Sequence, residues 1–364
     1  MAITLQDPLP DHFADISPEE TDRLIAKCRE ELGDRVVILG HHYQRDEIIK
    51  WADHRGDSLK LSQLAGANTK AEYIVFCGVH FMAETADILT TKEQSVILPN
   101  LSAGCSMADM ASIRQVEHAW SQLQSVVDCN VVPVTYVNST AAIKAFVGRN
   151  NGACCTSSNA ARVISWAFEQ GEKLMFFPDQ HLGRNTSVAL GVDPDREMVT
   201  WDPALPLGGN STEAIRQAKV ILWKGHCSVH ARFTTEQIAE ARATHPGVKV
   251  IVHPECSLDV VKAADASGST EFIIQAISSS EPGTTWGVGT EINLVNRLAR
   301  ELPDRKIFCL DPVVCPCSTM YRIHPYYLLW SLQNILMGAP TNIIMVQEPT
   351  ASDARRALDR MLSL

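Results

Sequence analysis

The chain has 364 residues, of which 45% are hydrophobic and 20% charged, and its formal net charge is −10. The high apolar fraction excludes a disordered chain, and 20 glycines and 18 prolines are too few for a fibrous one. The acidic balance argues against a general binder of nucleic-acid backbones. Length alone predicts two or three domains.

Eleven cysteines are the most unusual feature of the composition. Residues 1–10 lack a basic stretch followed by an apolar one, and no run of 18 apolar residues occurs. We therefore expect neither a secretory signal nor a membrane span, and we expect a cytoplasmic protein. Because disulfides are rare in a reducing cytosol, the cysteines should be buried apolar residues, metal ligands or nucleophiles.

The first predicted element is a helix. Ser17-Pro18-Glu19-Glu20 is an N-terminal capping pattern, and Gly33 is a favourable residue for the helix end. The β-branched run 35–39 then predicts a buried parallel strand.

This strand begins a pattern that recurs three times along the chain. Each copy has a strand that ends in polar residues, a hydroxyl-rich helix start, a second strand that also ends in polar residues, and a third strand followed by a cysteine. The predicted strands are 36–39, 73–77 and 96–98; 131–134, 173–177 and 220–223; and 248–252, 285–288 and 306–310. The polar residues after the second strands are His80 and Glu84, Asp179 and His181, and Thr290 and Glu291.

Strands alternating with helical segments predict parallel sheets covered by helices. We therefore expect an α/β protein with three pseudo-symmetric three-layer α/β/α domains around a central active site. The expected segments are an N-terminal helical segment (1–34), three α/β repeats (35–125, 126–244 and 245–325) and C-terminal helices that pack back on the body (326–364). Within the last segment we expect helices over 326–337 and 354–362, and a strand over 342–346. Because any α/β protein alternates strands and polar turns, chance resemblance between the repeats is the alternative.

Three cysteines, Cys105, Cys227 and Cys317, each lie in a polar loop after a third strand. Converging thiolates would suit an iron–sulfur cluster with one iron open for Lewis-acid chemistry. A zinc site completed by His226 or His230, or unrelated structural cysteines, are the alternatives. The other cysteines divide into those expected to be structural (Cys28, Cys77, Cys129, Cys256, Cys309) and those whose role stays open (Cys154, Cys155, Cys315).

The hydroxyl residues at the helix starts could bind phosphate or carboxylate groups, although ordinary helix capping explains each one equally well. These residues are Ser58, Ser157, Ser269 and Thr270. The sequence contains no Walker A or dinucleotide fingerprint, so we expect no nucleotide cofactor. The candidate acid–base groups are His41, Tyr43, His181, His230, His253 and Glu255. Glu255 would serve as a general base if burial raised its pKa, and Arg322 could bind an anionic substrate.

Twelve segments of the chain, in order and over nearly its whole length, resemble the quinolinate synthases. They include GHHYQ at 40–44, GDSLKLSQLA at 56–65, PNLSAGCSMAD at 99–109, TYVNST at 135–140, KGHCSVH at 224–230, HPEC at 253–256 and CPCSTMYRIHP at 315–325. Arg322 stands where shorter members of that family have lysine.

The resemblance implies one [4Fe–4S] cluster per chain, held by Cys105, Cys227 and Cys317. It implies that iminoaspartate condenses with dihydroxyacetone phosphate, with loss of phosphate and water, to give quinolinate for de novo NAD biosynthesis. The site positions that it implies are His41, Tyr43, Ser58, Tyr136, Asn138, Ser157, His230, His253, Glu255, Ser269, Thr270 and Arg322. A transient contact with an aspartate oxidase is a further expectation, whereas nucleic-acid and membrane partners are not expected.

Two rival functions remain open at this point. A cysteine-based sensor or electron carrier would bind a cluster without turning over a substrate, and a zinc hydrolase would use the same thiols for another metal. The polar residues at the strand ends favour an enzyme, since a carrier does not need them.

Overall fold

The computed structural model describes residues 6–313 and 316–364. Its strands are β1 Val36–His41, β2 His54–Gly56, β3 Tyr73–Cys77, β4 Ser95–Ile97, β5 Val131–Tyr136, β6 Ala153–Cys155, β7 Lys173–Phe177, β8 Met198–Trp201, β9 Val220–Trp223, β10 Lys249–Val252, β11 Ala266–Ser267, β12 Thr285–Gly289, β13 Lys306–Cys309 and β14 Ile343–Ile344. Cys315 lies outside the described residues.

The α-helices are α1 Pro18–Leu32, α2 Asp46–Ile49, α3 Ser58–Ala67, α4 His80–Leu89, α5 Ser106–Asp109, α6 Ile113–Gln124, α7 Ala141–Arg149, α8 Ala160–Gln170, α9 Gln180–Ala189, α10 Thr212–Gln217, α11 Thr235–Thr244, α12 Leu258–Ala263, α13 Thr270–Ser278, α14 Ile292–Glu301, α15 Pro325–Leu336 and α16 Thr350–Ser363. Among the described residues, no helix is long and apolar enough to span a membrane.

The strands form three sheets that share the order of four strands, to which β14 is added in one sheet and β8 in another. Their orders are β14-β4-β3-β1-β2, β6-β5-β7-β9-β8 and β11-β10-β12-β13. In each sheet the first strand of the copy (β1, β5 or β10) lies between the next two strands of the chain. The last strand of the copy (β4, β9 or β13) lies on the other side of β3, β7 or β12. All pairings are parallel except that of β14 with β4. The predicted α/β class is confirmed, and the shared order supports three copies of one unit.

The described chain divides into two compact units. The first contains the residues up to Cys105 and Pro316–Val346, and thus the sheet that contains β1. The second runs from Ser106 to residue 313 and includes Gln347–Leu364, and thus contains the other two sheets. Within the first unit α15 packs on α1, and within the second α16 packs on α7 and β6. The five-segment division given above stays a prediction.

The main strands and the first helix agree with their predicted positions. The Ser17 side chain accepts a hydrogen bond from the Glu20 N–H and so caps α1, and Gly33 ends that helix with a φ of 51°. The short strands β2, β6, β8 and β11 have no predicted counterpart, because two to four residues carry too little periodicity. The strand predicted over 342–346 contains only Ile343–Ile344, and the last helix begins at Thr350, before its predicted start.

The contact between α7 and α16 depends on a glycine. A Cβ at Gly148 would overlap the Asp353 carbonyl oxygen, whereas a Cβ at the exposed helical Gly66 would lie 3.5 Å from its nearest neighbour. We expect Gly148→Ala to lower the free energy of unfolding by about 2–3 kcal/mol through overpacking. Gly66→Ala, the matched control, should stabilise α3 by up to about 1 kcal/mol. Thermal unfolding checks both, and equal melting temperatures for the two variants would contradict the close approach.

Candidate active site

The polar side chains expected to carry function follow strands at a defined place in each sheet. Ligands of open parallel sheets bind beyond the carboxyl ends of the strands, where the strand order reverses. That position lies between β5 and β7 in one sheet and between β10 and β12 in another. Tyr136 ends β5, and His253 follows β10 directly.

His230 and Glu255 form a buried pair in the second unit. His230 Nδ1 lies 2.9 Å from Glu255 Oε2, and His230 Nε2 lies 3.2 Å from the Thr290 hydroxyl. The two side chains are 2% and 4% exposed. An imidazole held by a carboxylate in this way can accept a proton, because the carboxylate stabilises the imidazolium.

His253 and Tyr136 complete this cluster. The His253 ring stacks on His230 with a centroid separation of 4.5 Å, and the Tyr136 side chain hydrogen-bonds to Glu255. Burial, helped by the charge of His230, lowers the pKa of His253 to about 3, so its imidazole is neutral. The Glu255 N–H donates to His253 Nδ1. The ring proton of His253 therefore lies on Nε2, which makes that atom a hydrogen-bond donor.

The condition for Glu255 to act as a general base, a pKa raised overall by burial, is not met. Burial does oppose ionisation, but the charges of His230 and His253 and the hydrogen bonds from His230 and Tyr136 outweigh it and lower the pKa to about 2. Glu255 is therefore a carboxylate at neutral pH, and it accepts hydrogen bonds and orients its neighbours. The sequence could not reveal this, because the direction of the shift depends on His230, His253 and Tyr136 all meeting one carboxylate.

Asp179 is a second buried carboxyl near this cluster and was not among the predicted site residues. Its Oδ1 caps α9 by accepting the His181 and Leu182 N–H groups, both at 2.7 Å. Its Oδ2 is buried without a hydrogen-bond partner. Burial and the charge of Glu255 raise the pKa of Asp179 well above its usual range. Asp179 follows the second predicted strand of its copy, and Thr290 follows the second predicted strand of the third copy. This shared position is the sequence signal for both residues.

Cys227 lies beside the cluster on a loop that packs closely on the Asp179 segment. Asp179 and Gly225 form a parallel bridge, and a Cβ at Gly225 would overlap the Pro178 carbonyl oxygen. The Cys227 N–H interacts with the Asp179 carboxyl. One ligand atom from each of Cys227, His230 and Glu255 lies within 4.8 Å of the others. The structure therefore brings one predicted cysteine ligand together with two predicted acid–base residues.

Cys105 and Cys317 both lie in the first unit, on loops that are tied to each other. The Asn100 side chain donates to the Arg322 carbonyl oxygen at 2.9 Å, and the Arg322 guanidinium donates to the Ser102 carbonyl oxygen at 2.7 Å. The exposed Arg322 thus joins the segments that carry the two thiols. Its role in substrate binding stays a prediction.

The seven other described cysteines are less suited to metal binding. Burial raises the pKa of each of these thiols, to about 12 for Cys77 and Cys154. Cys154 and Cys155 lie in β6 and are fully buried, which gives them a structural role. Cys129 is only partly buried, so its expected place in the core is wrong, whereas the partly buried Cys309 packs against the apolar core that contains Val250 and Val252. A thiolate cluster therefore fits Cys105, Cys227 and Cys317, which are partly exposed and lie in loops.

The end of β1 repeats the arrangement seen at His253. His41 is buried, and its Nδ1 accepts the Tyr43 N–H at 3.1 Å, the same contact over two residues that His253 makes with Glu255. The His41 and Tyr43 rings meet edge to face with centroids 4.7 Å apart. Neutral His41 therefore also carries its proton on Nε2.

The predicted anion-binding hydroxyls occupy different helix positions. Ser58 is the first residue of α3, which Asp57 caps, and Ser157 lies in the turn before α8. Ser269 caps α13 by accepting the Phe272 N–H, so its capping role is confirmed. Thr270 is the first residue of α13. Asn138, which follows β5, has a buried Oδ1 without a hydrogen-bond partner. A ligand that donates to Asn138 would satisfy that atom.

His181 should make folding sensitive to acid. Burial lowers its pKa to about 4, and Arg184 and His226 act in the same direction. Between pH 6.5 and pH 4 the unfolded chain binds a proton that the folded chain does not, so stability falls as the pH falls through this window. At pH 5 the loss is about 2 kcal/mol. Thermal unfolding at pH 7 and pH 5 should show a smaller loss for His181→Gln than for the wild type, and equal losses would contradict this account.

Known proteins and a family model match this chain over nearly its whole length. A family model described as NadA, quinolinate synthetase A protein, matches residues 23–363. The quinolinate synthase of Corynebacterium glutamicum is 58% identical over 360 residues, which cover 99% of this chain and 91% of that protein. That of Geobacillus thermodenitrificans is 55% identical over 359 residues, covering 98% and 97% of the two chains. The chain therefore belongs to the quinolinate synthase family, a family of enzymes.

Proposed function

We propose that the chain condenses iminoaspartate with dihydroxyacetone phosphate, releasing phosphate and water, to form quinolinate for de novo NAD biosynthesis. Family membership supports the reaction. The observation that carries its assignment to particular residues is the buried cluster of His230, Glu255, His253 and Tyr136 beside Cys227.

In this proposal, the buried side chains of His230, Glu255, His253 and Tyr136 control the movement of protons between carbon and oxygen atoms of the substrates. Neutral His253 donates from Nε2 to a substrate carbonyl oxygen and so stabilises the enolate that forms when the neighbouring carbon loses a proton. His230 takes up a proton, because the Glu255 carboxylate stabilises its imidazolium. Tyr136 also hydrogen-bonds to that carboxylate. Glu255 thus acts as a fixed negative charge, consistent with its pKa of about 2.

Other residues would bind the anionic groups of the substrates. Helix α13 begins at Thr270, and its first backbone N–H groups and the Ser269 hydroxyl suit a phosphate or carboxylate. We assign the same task to Ser58, Ser157, Asn138 and Arg322. We assign proton transfer to His41 and Tyr43, which lie in the first unit.

The proposal includes one [4Fe–4S] cluster per chain, held by Cys105, Cys227 and Cys317. Their partial exposure in loops and the raised pKa of the other described thiols support this ligand set. When bound, the cluster would supply a Lewis-acidic iron for the dehydration that completes the ring. We also propose a cytoplasmic location, because the described cysteines are all free thiols and free thiols are typical of a reducing compartment. We further propose a transient contact with an aspartate oxidase that delivers the unstable imine.

A product assay tests the reaction. The anaerobically purified full-length chain is incubated with iminoaspartate, generated in the reaction mixture, and dihydroxyacetone phosphate. We expect quinolinate and inorganic phosphate to appear in equal amounts. Dihydroxyacetone without its phosphate is the matched control and should give no quinolinate. Phosphate release without quinolinate, or no product from an iron-loaded preparation, would overturn the proposal.

A further inference from the structure

Cys227, His230 and Glu255 are arranged like the ligands of a single transition-metal ion. The Ala231 N–H donates to the Cys227 carbonyl oxygen, so the segment from Cys227 to Ala231 forms one helical turn. Side chains three residues apart on such a turn share a face, and Cys227 and His230 have this spacing. Glu255 reaches the same point from the segment after β10, and the three ligand atoms lie within 4.8 Å of one another.

The separations are close to those that a tetrahedral ion imposes. Zinc–nitrogen and zinc–oxygen bonds of about 2.0–2.2 Å place neighbouring nitrogen and oxygen ligands roughly 3.3 Å apart. His230 Nδ1 and Glu255 Oε2 are 2.9 Å apart without an ion. A movement of a few tenths of an ångström would therefore admit the ion between these two atoms.

The second nitrogen of His230 is held as it is in known metal sites. A metal-bound imidazole usually donates its other N–H to an oxygen, which fixes the ring and the tautomer. His230 Nε2 lies 3.2 Å from the Thr290 hydroxyl. When Nε2 donates to Thr290, Nδ1 and Glu255 Oε2 are both acceptors, so a proton or a metal cation must lie between them.

Burial and charge also favour a cation at this point. His230 and Glu255 are buried, whereas the partly exposed Cys227 gives a solvent-borne ion access. A thiolate and a carboxylate together neutralise a divalent charge, and the mixed sulfur, nitrogen and oxygen set suits Zn²⁺ and Co²⁺. Three protein ligands leave one position for water.

We infer that the metal-free chain binds one divalent ion of the Zn²⁺ class through Cys227 Sγ, His230 Nδ1 and a Glu255 carboxylate oxygen. Binding releases the thiol proton of Cys227 and leaves the single ring proton of neutral His230 on Nε2, where it is donated to Thr290. The site needs neither Cys105 nor Cys317. If the proposed function holds, the ion also competes with cluster assembly for Cys227; that consequence rests on the proposed function, whereas the site does not.

Cobalt titration of the full-length, metal-free chain tests the site. We expect one equivalent of Co²⁺ to produce a thiolate-to-cobalt charge-transfer band and the visible bands of a tetrahedral ion, and Zn²⁺ to remove both. Cys227→Ser should abolish the charge-transfer band. Glu255→Gln, which keeps the shape of the side chain, should weaken binding by about 100-fold or more, and Thr290→Val should weaken it by about 10-fold.

Cys129→Ser and Cys309→Ser are the matched controls, because each removes a partly exposed thiol outside the trio and outside the proposed cluster ligands. Both should bind Co²⁺ like the wild type. Circular dichroism of every variant separates lost binding from lost folding. Loss of the band in either control, or the absence of stoichiometric Co²⁺ binding in the folded wild type, would overturn the inference. Neither outcome depends on quinolinate formation, so the site can fail while the proposed function stands.

Discussion

The Glu255→Gln variant is expected to form quinolinate about 10³-fold more slowly than the wild type and to keep its fold. The amide has the shape of the carboxylate but lacks the charge that stabilises a protonated His230. It also has one acceptor oxygen in place of two, which weakens the hydrogen bonding with His230 and Tyr136. The loss should appear mainly in kcat, because the charge acts on proton transfer.

Steady-state kinetics of anaerobically prepared protein measures this effect, with Glu197→Gln as the control. Glu197 also lies in the second unit, but it forms an ion pair with Lys219 and has a partly exposed side chain. The control should turn over at the wild-type rate. Wild-type turnover by Glu255→Gln would remove Glu255 from the mechanism.

Replacing any one of Cys105, Cys227 and Cys317 with serine is expected to abolish quinolinate formation and to lower the bound iron severalfold. Serine is a poor ligand for the soft iron–sulfur core, whereas cysteine thiolate selects it. The effect should be large at all three positions, since a cluster with only two protein ligands is poorly held.

Cys129→Ser and Cys309→Ser provide the control for exposure. Both thiols are partly exposed, like the proposed ligands, but burial raises the pKa of each, to about 11 for Cys309. Iron analysis and the product assay should find both variants close to the wild type. If a control loses its iron, or a proposed ligand variant keeps a full complement, the ligand set is wrong.

The fold was largely predictable because its central strands are continuous apolar runs. The strands β1, β5 and β10 are almost wholly buried, and such β-branched segments have few alternatives to a parallel sheet. The short edge strands β2, β6, β8 and β11 were missed because pairing with a neighbour defines them, and their own residues do not. Ser17 and Gly33 marked the ends of the first helix, since capping depends on local geometry.

The site was predictable in its residues but less so in its electrostatics. His230, His253 and Glu255 follow strand ends, so their proximity could be expected. The direction of the Glu255 pKa shift depends on two imidazoles and a tyrosine meeting one carboxylate, and no local pattern shows that. Asp179 caps a helix and its pKa responds to Glu255, a long-range effect that only the folded chain creates.

Iron and sulfide analysis of the anaerobically purified chain, combined with the product assay on the same sample, tests the central claim most directly. We expect a brown protein with about four iron and four sulfide per chain that converts iminoaspartate and dihydroxyacetone phosphate to quinolinate. A colourless protein that carries stoichiometric zinc and no sulfide, and that forms no quinolinate after iron and sulfide are supplied, would contradict the account.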